Sequence, residues 1–482
     1  MKHSTRGLAR ESTVMLLSSA SAGVLITLIS IFVARSVTVE DFGVYSVVTS
    51  IQSVASMVAG LSVGSALAKY ISEYRARNID RTGELAKTGI IIVLAISSVT
   101  SVGYIAMSQP IGDWLYEEQS IVSLIPYSAL VVFGTAMFAT VFGIAQGCQN
   151  MAVLGTMRAG SPLIGLVLVF ALLPIFDLRG VFLALGIAQL AVAIVALYWL
   201  NRNTLSILSP KVKLKSSDSA RKILGYAVPT VISASLVGPV YWLGNTELAI
   251  WTGFDAVGLF GIAFILFQGF IILPNSIVIP LVPRVSNSSV MSMENVRTMI
   301  VDSIRVASVL LFPLVLGAGL FAGPIIETVF GTDYSGAATS TYLMAVASFF
   351  FAQGVMVGAM LAGLGRVWLG LSINIIWAAS FIALSTGMIP VWGEVGLAGS
   401  YALSYALLLG VSFLACKVKL NIDLRKAYPL PAVASLVFVV GYAGIADIFD
   451  FGWASRGLLL LSGCLVVILG ERKLVVSLLR KK

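Results

Sequence analysis

The sequence predicts an all-α integral membrane protein of about 14 transmembrane helices: two parallel-oriented six-helix repeats plus two extra C-terminal helices. Three observations predict it. The chain is 58% hydrophobic and 11% charged, where a soluble domain carries about 25% charge. Apolar stretches of about 20 residues, long enough to cross a bilayer, alternate with short polar breaks along the chain. Spaced marks also recur: Gly147, Pro174 and Gly180 return as Gly363, Pro390 and Gly396, all at an offset of 216. The step of 26 from Gly43 to Lys69 returns between Gly258 and Arg284, at an offset of 215. Duplicated helical units of this kind are the usual build of a transporter, with the substrate path between the copies.

The first span, 12–34, follows Lys2, Arg6 and Arg10. At 23 residues this run exceeds the roughly 7–15 of a signal-peptide core, so it is expected to span and stay. Spans at 42–68, 88–108, 120–145, 154–175 and 180–200 complete an N-terminal lobe over 1–201. Asn201 to Lys222 is the longest polar stretch, and 202–222 is the predicted cytoplasmic linker. A C-terminal lobe over 223–417 holds spans at 223–251, 257–282, 301–323, 338–361, 367–389 and 396–416. Two additional helices within 428–470, at 428–446 and 454–470, fall outside the repeat, and a basic cytoplasmic tail, 471–482, follows them.

Lysine and arginine positions set the orientation. Of the 31 in the chain, only Arg35, Arg179 and Arg456 fall on one face of this topology. The crowded face is cytoplasmic by the positive-inside rule, which puts both termini inside, as an even number of spans requires. The net charge of +9 is therefore topology rather than a nucleic-acid surface, and it also attracts acidic lipid headgroups, at about 1 kcal/mol per basic residue. An even six spans per unit makes the two copies parallel.

Several function classes drop out. No GxxxxGK[ST] phosphate loop and no soluble domain is present, so the chain is not expected to hydrolyse ATP. His3 is the only histidine, which removes His-based metal sites. Cys148, Cys416 and Cys464 imply no disulfide framework. No cofactor is expected. A membrane enzyme such as a glycan polymerase or ligase would carry its catalytic residues on a large outer loop, and no such loop exists here.

Five segments carry a family resemblance. Ala34–Ser50, ARSVTVEDFGVYSVVTS, is similar to the first outer loop and second-helix start of Wzx-type polysaccharide flippases. Gly60–Ile79, GLSVGSALAKYISEYRARNI, resembles the end of that helix and the cytoplasmic loop after it. Gly253–Phe264, Val329–Met344 and Leu361–Ile375 resemble the equivalent segments of the second half. That superfamily also holds MATE multidrug extruders and lipid II flippases. The resemblance implies two six-helix lobes in a V around a central cavity, alternating access, and export of a lipid-linked oligosaccharide across the cytoplasmic membrane. Its implied partners are a polyprenyl-(di)phosphate-linked glycan, membrane lipids, and a glycan polymerase or glycosyltransferases. Lipid II flippases concentrate arginine in the cavity, whereas mid-depth positions of spans 1, 2 and 8 here lack Arg and Lys.

Such a substrate sets what the side chains must offer. A diphosphate needs cations or backbone donors. Lys69 and Arg284 occupy repeat-equivalent positions at the cytoplasmic ends of spans 2 and 8, and Arg158 opens span 5 on the same side; all three also read as positive-inside anchors with snorkelling stems. Gln52, Gln268, Asn275, Gln353 and Asn374 are neutral polar residues within spans, suited to sugar hydroxyls or to interhelical hydrogen bonds. Arg35 lies near the outer end of span 1, and Glu247 lies in the outer third of span 7. An intramembrane ionisable group is a functional candidate by default, and the pair is expected to form or help form an outer gate. Glu247 equally suits the alternative reading, an H⁺- or Na⁺-coupled multidrug or small-molecule antiporter. Pro229 and Pro239 in span 7 and Pro274 and Pro280 in span 8 would permit kinks.

Overall fold

The computed structural model describes residues 5–75, 79–205, 219–227, 236–272 and 293–422, with single positions at 274, 285, 424, 456, 460, 461, 463 and 464. The two predicted C-terminal spans lie almost wholly outside these. Among the described residues, eight helical stretches are long and apolar enough to cross a membrane, and Phe254–Phe270 is a shorter apolar helix. They fall into two compact units, Met1–Ile250 and Trp251–Lys482. The division lies at the end of the seventh predicted span, and 206–218 of the predicted linker lie outside the described residues.

The first unit opens with α1 (Thr5–Ser36), which carries Arg35 in its last turn, where a cation suits the negative end of the helix dipole. Thr38 caps α2 (Val39–Gly60): its hydroxyl oxygen accepts from the Asp41 amide at 3.1 Å and the hydroxyl donates to the Asp41 carboxylate at 2.7 Å. The helix then stops at Leu61 and Ser62, both left-handed with φ 42° and 50°, and α3 (Val63–Arg75) begins. The single span expected over 42–68 is thus two helices joined by a break. Next come α4 (Ile79–Ala106), a π-helical turn (Pro110–Tyr116) and α5 (Gln119–Gly147).

The stretch α6 (Met151–Leu200) holds two arms rather than one rod. Asp177 takes φ 51°, ψ −144° and the chain folds back on itself. A Cβ on Gly180 would strike the Leu172 carbonyl, and one on Gly165 would sit 3.4 Å from Leu185. The predicted spans 154–175 and 180–200 are those arms. Then α7 (Val237–Thr252) follows, with Pro239 in its first turn, where a missing N–H breaks no bond of that helix. Pro229 and Pro280 lie outside the described residues.

The second unit contains α8 (Phe254–Phe270), α9 (Met293–Val329), a 3-10 turn (Thr332–Ala337), α10 (Ala338–Gly363) and α11 (Val367–Leu420). The last repeats the hairpin of α6, turning at Gly393 with φ 54°, ψ −129°. Asp177 and Gly393 are equivalent positions at the offset already seen for Gly147 and Gly363. The turn before each hairpin repeats as well. Cys148, Gln149 and Asn150 donate their amides to the carbonyls of Ile144, Gln146 and Ala145. At the same offset Leu364, Gly365 and Arg366 donate to Met360, Ala362 and Leu361. Gln149 and Gly365 are the left-handed residues of the two turns, at φ 54° and 71°.

The two interiors are packed differently. In the first unit backbones approach directly: a Cβ on Gly143 would run into the Gly64 carbonyl, and one on Gly64 into the carbonyl of Ala139, so α3 and α5 touch main chain to main chain. The second unit is filled with rings. Trp377 stacks on Tyr405 at 5.2 Å, Phe381 meets Tyr401 at 4.6 Å, and Phe267 and Phe351 meet Tyr405 at 6.3 and 5.3 Å. Exposed tryptophans mark the ends of both: Trp114 and Trp199 in the first unit, Trp251, Trp392 and Trp368 in the second. Aromatic residues so placed suit the two membrane–water interfaces.

Candidate functional site

The break between α2 and α3 borders a cavity of about 520 Å³ in the first unit. Ser56, Gly60, Ser62, Gly64 and Ser65 line it from the broken helix, Phe138, Phe142 and Gln146 from α5, and Arg158 from the first arm of α6. The break puts the last carbonyls of α2 and the first amides of α3, which no helix can satisfy internally, beside a polar space. Non-helical backbone at membrane depth is tolerated where it lines such a cavity. The Gly64–Gly143 approach fixes the first turn of α3 at this wall.

Arg158 is half-buried and, among the described residues, supplies the cavity's only formal charge. Its Nη1 donates to Ser19 Oγ of α1 at 2.9 Å, and its guanidinium stands 5.7 Å from the Phe142 ring centre. Neither partner neutralises it. A guanidinium has five N–H donors in a planar fork, and one hydrogen bond to a serine leaves most of that fork for an acceptor in the cavity.

A second cluster joins α3 to helical residues 219–227. Lys69 of α3 lies over Tyr226 at 4.4 Å and over Tyr70 at 5.2 Å, while Lys222 lies over Tyr74 of α3 at 5.8 Å and hydrogen-bonds its hydroxyl at 3.4 Å. Each segment thus offers a lysine to the other's tyrosine. Ser219 Oγ donates to Glu84 Oε1 at 2.9 Å beside them. A third cluster closes a ring of hydrogen bonds near the opposite end. Trp242 Nε1 donates to the Tyr116 hydroxyl at 3.2 Å, and Thr246 Oγ1 donates to the Trp242 carbonyl at 2.8 Å. Thr246 has one proton, so the 2.6 Å bond between Tyr116 and Thr246 has Tyr116 as donor. Burial raises the Tyr116 pKa, and the bonds to Thr246 and Trp242 pull against that.

The predicted residues are scattered among these clusters. Arg158 lines the cavity. Gln52, half-buried on α2, reaches Ser56 of its wall at 3.5 Å. Lys69 belongs to the lysine–tyrosine cluster and is exposed. Glu247, half-buried, follows Thr246 of the hydrogen-bonded ring, and Arg35 is exposed at the end of α1. Gln353 is fully buried and donates to Ser308 of α9 at 2.8 Å, so its amide is used between helices. Gln268 and Asn374 are exposed on α8 and α11. Arg284 and Asn275 lie outside the described residues. Of the three cations predicted on the sparse face, Arg179 stacks over Tyr127 at 5.9 Å and Arg456 donates to the Leu320 carbonyl at 3.2 Å.

Sequence reasoning missed the helix break, because Leu61 and Ser62 carry no sign of left-handed backbone. It also missed the Tyr116 ring, whose partners are 130 residues apart. The signal that existed for the cavity was the run of small residues Gly60, Ser62, Gly64 and Ser65 at the end of an apolar helix.

Known proteins resemble this chain along most of its length. The chain is 25% identical over 394 residues to the EPS I polysaccharide export inner membrane protein EpsE of Ralstonia solanacearum, covering 77% of this chain and 86% of that one. It is 24% identical over 414 residues to the probable low-salt glycan biosynthesis flippase Agl15 of Haloferax volcanii, covering 83% and 81%. Its fold matches that of the lipid II flippase MurJ in an inward closed conformation, with a TM-score of 0.76 at 11% identity over 98% of this chain and 100% of that one. The family model described as polysaccharide biosynthesis protein matches residues 8–289, which is more than half of the sequence and includes every residue of the cavity, and the chain belongs to that family.

Proposed function

We propose that the protein is a flippase that moves lipid-linked oligosaccharide precursors from the cytoplasmic to the outer face of the membrane, by alternating access, for surface polysaccharide synthesis. The observation that carries this is the family match across almost the whole of the first unit. It is a transporter and not an enzyme: substrate crosses unchanged. The carrier lipid is a polyprenyl (di)phosphate, made on the inner face by glycosyltransferases and consumed on the outer face by a polymerase or transferase.

The reading includes fourteen spans in two parallel six-helix repeats plus two, with both termini cytoplasmic. Its support is the pair of hairpins and preceding turns that recur at one offset in the two units, together with the lysine and arginine distribution. In this orientation the cavity at the α2–α3 break and the lysine–tyrosine cluster belong to the cytoplasmic end, and the Tyr116 ring, Arg35 and Glu247 to the outer end. Lys69 and Arg284 receive the charged headgroup, Gln52, Gln268, Asn275 and Asn374 offer hydrogen bonds to the glycan, and Arg35 with Glu247 close the outer side. A coupling carboxylate in a cation antiporter usually has further polar ligands at depth, and Glu247 is the one acid in the interior of a predicted span.

Deletion of the gene tests the function. Lipid-linked glycan should accumulate with its sugar facing the cytoplasm, and the surface polymer should fall. Sensitivity to cationic drugs without accumulation would sink the flippase in favour of the antiporter.

A further inference from the structure

The cavity at the α2–α3 break has an internal control. The chain repeats the surrounding turn in its second unit with the same three backbone hydrogen bonds, yet the side chains differ. Where the first unit has Phe138, Phe142, Gln146 and Arg158, the second has Gly354, Gly358, Ala362 and Asn374. The shared backbone therefore does not demand a cation at Arg158. The contrast extends along the same helices. Thr135 donates to Gln189 at 2.8 Å in the first unit, and their equivalents in the second, Phe351 and Tyr405, make a ring contact at 5.3 Å. The first unit carries a polar seam where the second carries an aromatic one.

A guanidinium in such a place is costly unless something answers its charge. Among the described residues no carboxylate lies within ion-pair distance of Arg158, and its protein contacts are Ser19 and the face of Phe142. The cavity beside it holds three serine hydroxyls and the Gln146 amide, and no acid. Guanidinium matches the oxygens of a phosphoryl group in bidentate geometry. Ser62, Gly64 and Ser65 at the start of α3 line the same space, and the positive end of that helix dipole adds to the Arg158 charge there.

We propose that this cavity is a phosphoryl-binding subsite inside the first unit, which holds the diphosphate of the lipid carrier through Arg158 while the carrier is loaded. The assignment rests on the flippase reading and names the part of the substrate that the first unit recognises. The second unit has Asn374 at the position matching Arg158, so this subsite is not repeated there.

The test is binding to the purified full-length protein in nanodiscs, with undecaprenyl diphosphate, inorganic pyrophosphate and phosphatidylglycerol as separate probes. Wild type should bind undecaprenyl diphosphate. Arg158→Gln should weaken that binding tenfold or more, and Arg158→Lys by less. Gly60→Leu keeps the cation and reduces the cavity; a Cβ there meets nothing closer than the Ala136 Cα at 3.9 Å, and with thermal unfolding of the variant matched to wild type it should also lose tenfold. Pyrophosphate should compete weakly and show the same dependence on Arg158. Undiminished binding in Arg158→Gln and Gly60→Leu would overturn the subsite while leaving the flippase intact. Phosphatidylglycerol binding as tightly as the diphosphate, with the same loss in Arg158→Gln, would overturn the carrier assignment and make this an ordinary lipid-headgroup site. Binding of undecaprenyl diphosphate by no variant and not by wild type would instead count against the flippase reading itself.

Discussion

Asp177 and Gly393 hold the same place in their two hairpins and nearly the same backbone, φ 51°, ψ −144° against φ 54°, ψ −129°. That conformation suits a residue without a Cβ and strains one that has it, at roughly 1–3 kcal/mol. Asp177 is exposed, so it does not recover the cost by burying apolar surface. Asp177→Gly should therefore stabilise the protein by about 1 kcal/mol, the relieved strain being partly offset by the greater freedom glycine gives the unfolded chain. Gly393→Asp should destabilise it by about 1–3 kcal/mol, since a Cβ there meets only Thr252 Cγ2 at an ordinary 3.6 Å and the cost is in the backbone. Thermal unfolding in detergent reads both. A lower melting point for Asp177→Gly with no change for Gly393→Asp would show that the two turns are not equivalent in energy.

At the scale of elements, the bilayer made much of this fold legible in advance. Its thickness fixes helix length, and Gly180 and Gly396 mark where an arm must pass close to the one before it. The hairpins of α6 and α11 accordingly sit where spans at 154–175, 180–200, 367–389 and 396–416 were expected. The cavity was legible as Arg158 and as the small residues Gly60, Ser62, Gly64 and Ser65, but the break that opens it was not, because it uses Leu61 and Ser62, residues that elsewhere would continue a helix. The Tyr116 ring was not legible at all. A π-helical turn between α4 and α5 presents one hydroxyl to α7, and no local pattern announces a partner so distant in sequence. This ring joins α7 to Tyr116 through two hydrogen bonds, and a third, from Thr246 to the Trp242 carbonyl, closes it within α7. Tyr116→Phe removes the hydroxyl at the centre and leaves the buried Thr246 and the Trp242 N–H without it, at a cost of about 1–3 kcal/mol. The amides of α7 should then exchange with solvent tenfold faster or more, while those of α5 are unchanged. Equal protection of α7 in the variant would mean that apolar packing, and not the ring, seats this helix. Burial holds the Tyr116 pKa above the ordinary value, so the hydroxyl keeps its proton at neutral pH and the protection should not vary between pH 6 and pH 8, a range whose upper end is about two units below the ordinary tyrosine pKa.

For the molecule as a whole, alternating access requires that something close the outer end while the cytoplasmic end loads. The Tyr116 ring holds α7 at Thr246, the residue before Glu247, and α1 lies in the same unit, so a gate between Arg35 and Glu247 opens by movement of α1 against α7 within that unit. Arg35 ends α1, at the other helix expected to border the path. If the two charges bind each other in the closed state only, each single reversal puts like charges together and favours the open state. Every 1.4 kcal/mol of that repulsion shifts the balance about tenfold. Arg35→Glu and Glu247→Arg should each cut surface polysaccharide output, and each should raise the reactivity of a cysteine placed at Glu117 towards a membrane-impermeant thiol reagent. The double reversal, Arg35→Glu with Glu247→Arg, restores opposite charges and should recover both readouts towards wild type. A double variant as defective as the worse single one would break the pairing. The thiol readout separates this from a coupling role for Glu247: loss of a coupling carboxylate would abolish transport without opening the outer side, and no partner reversal at Arg35 would rescue it.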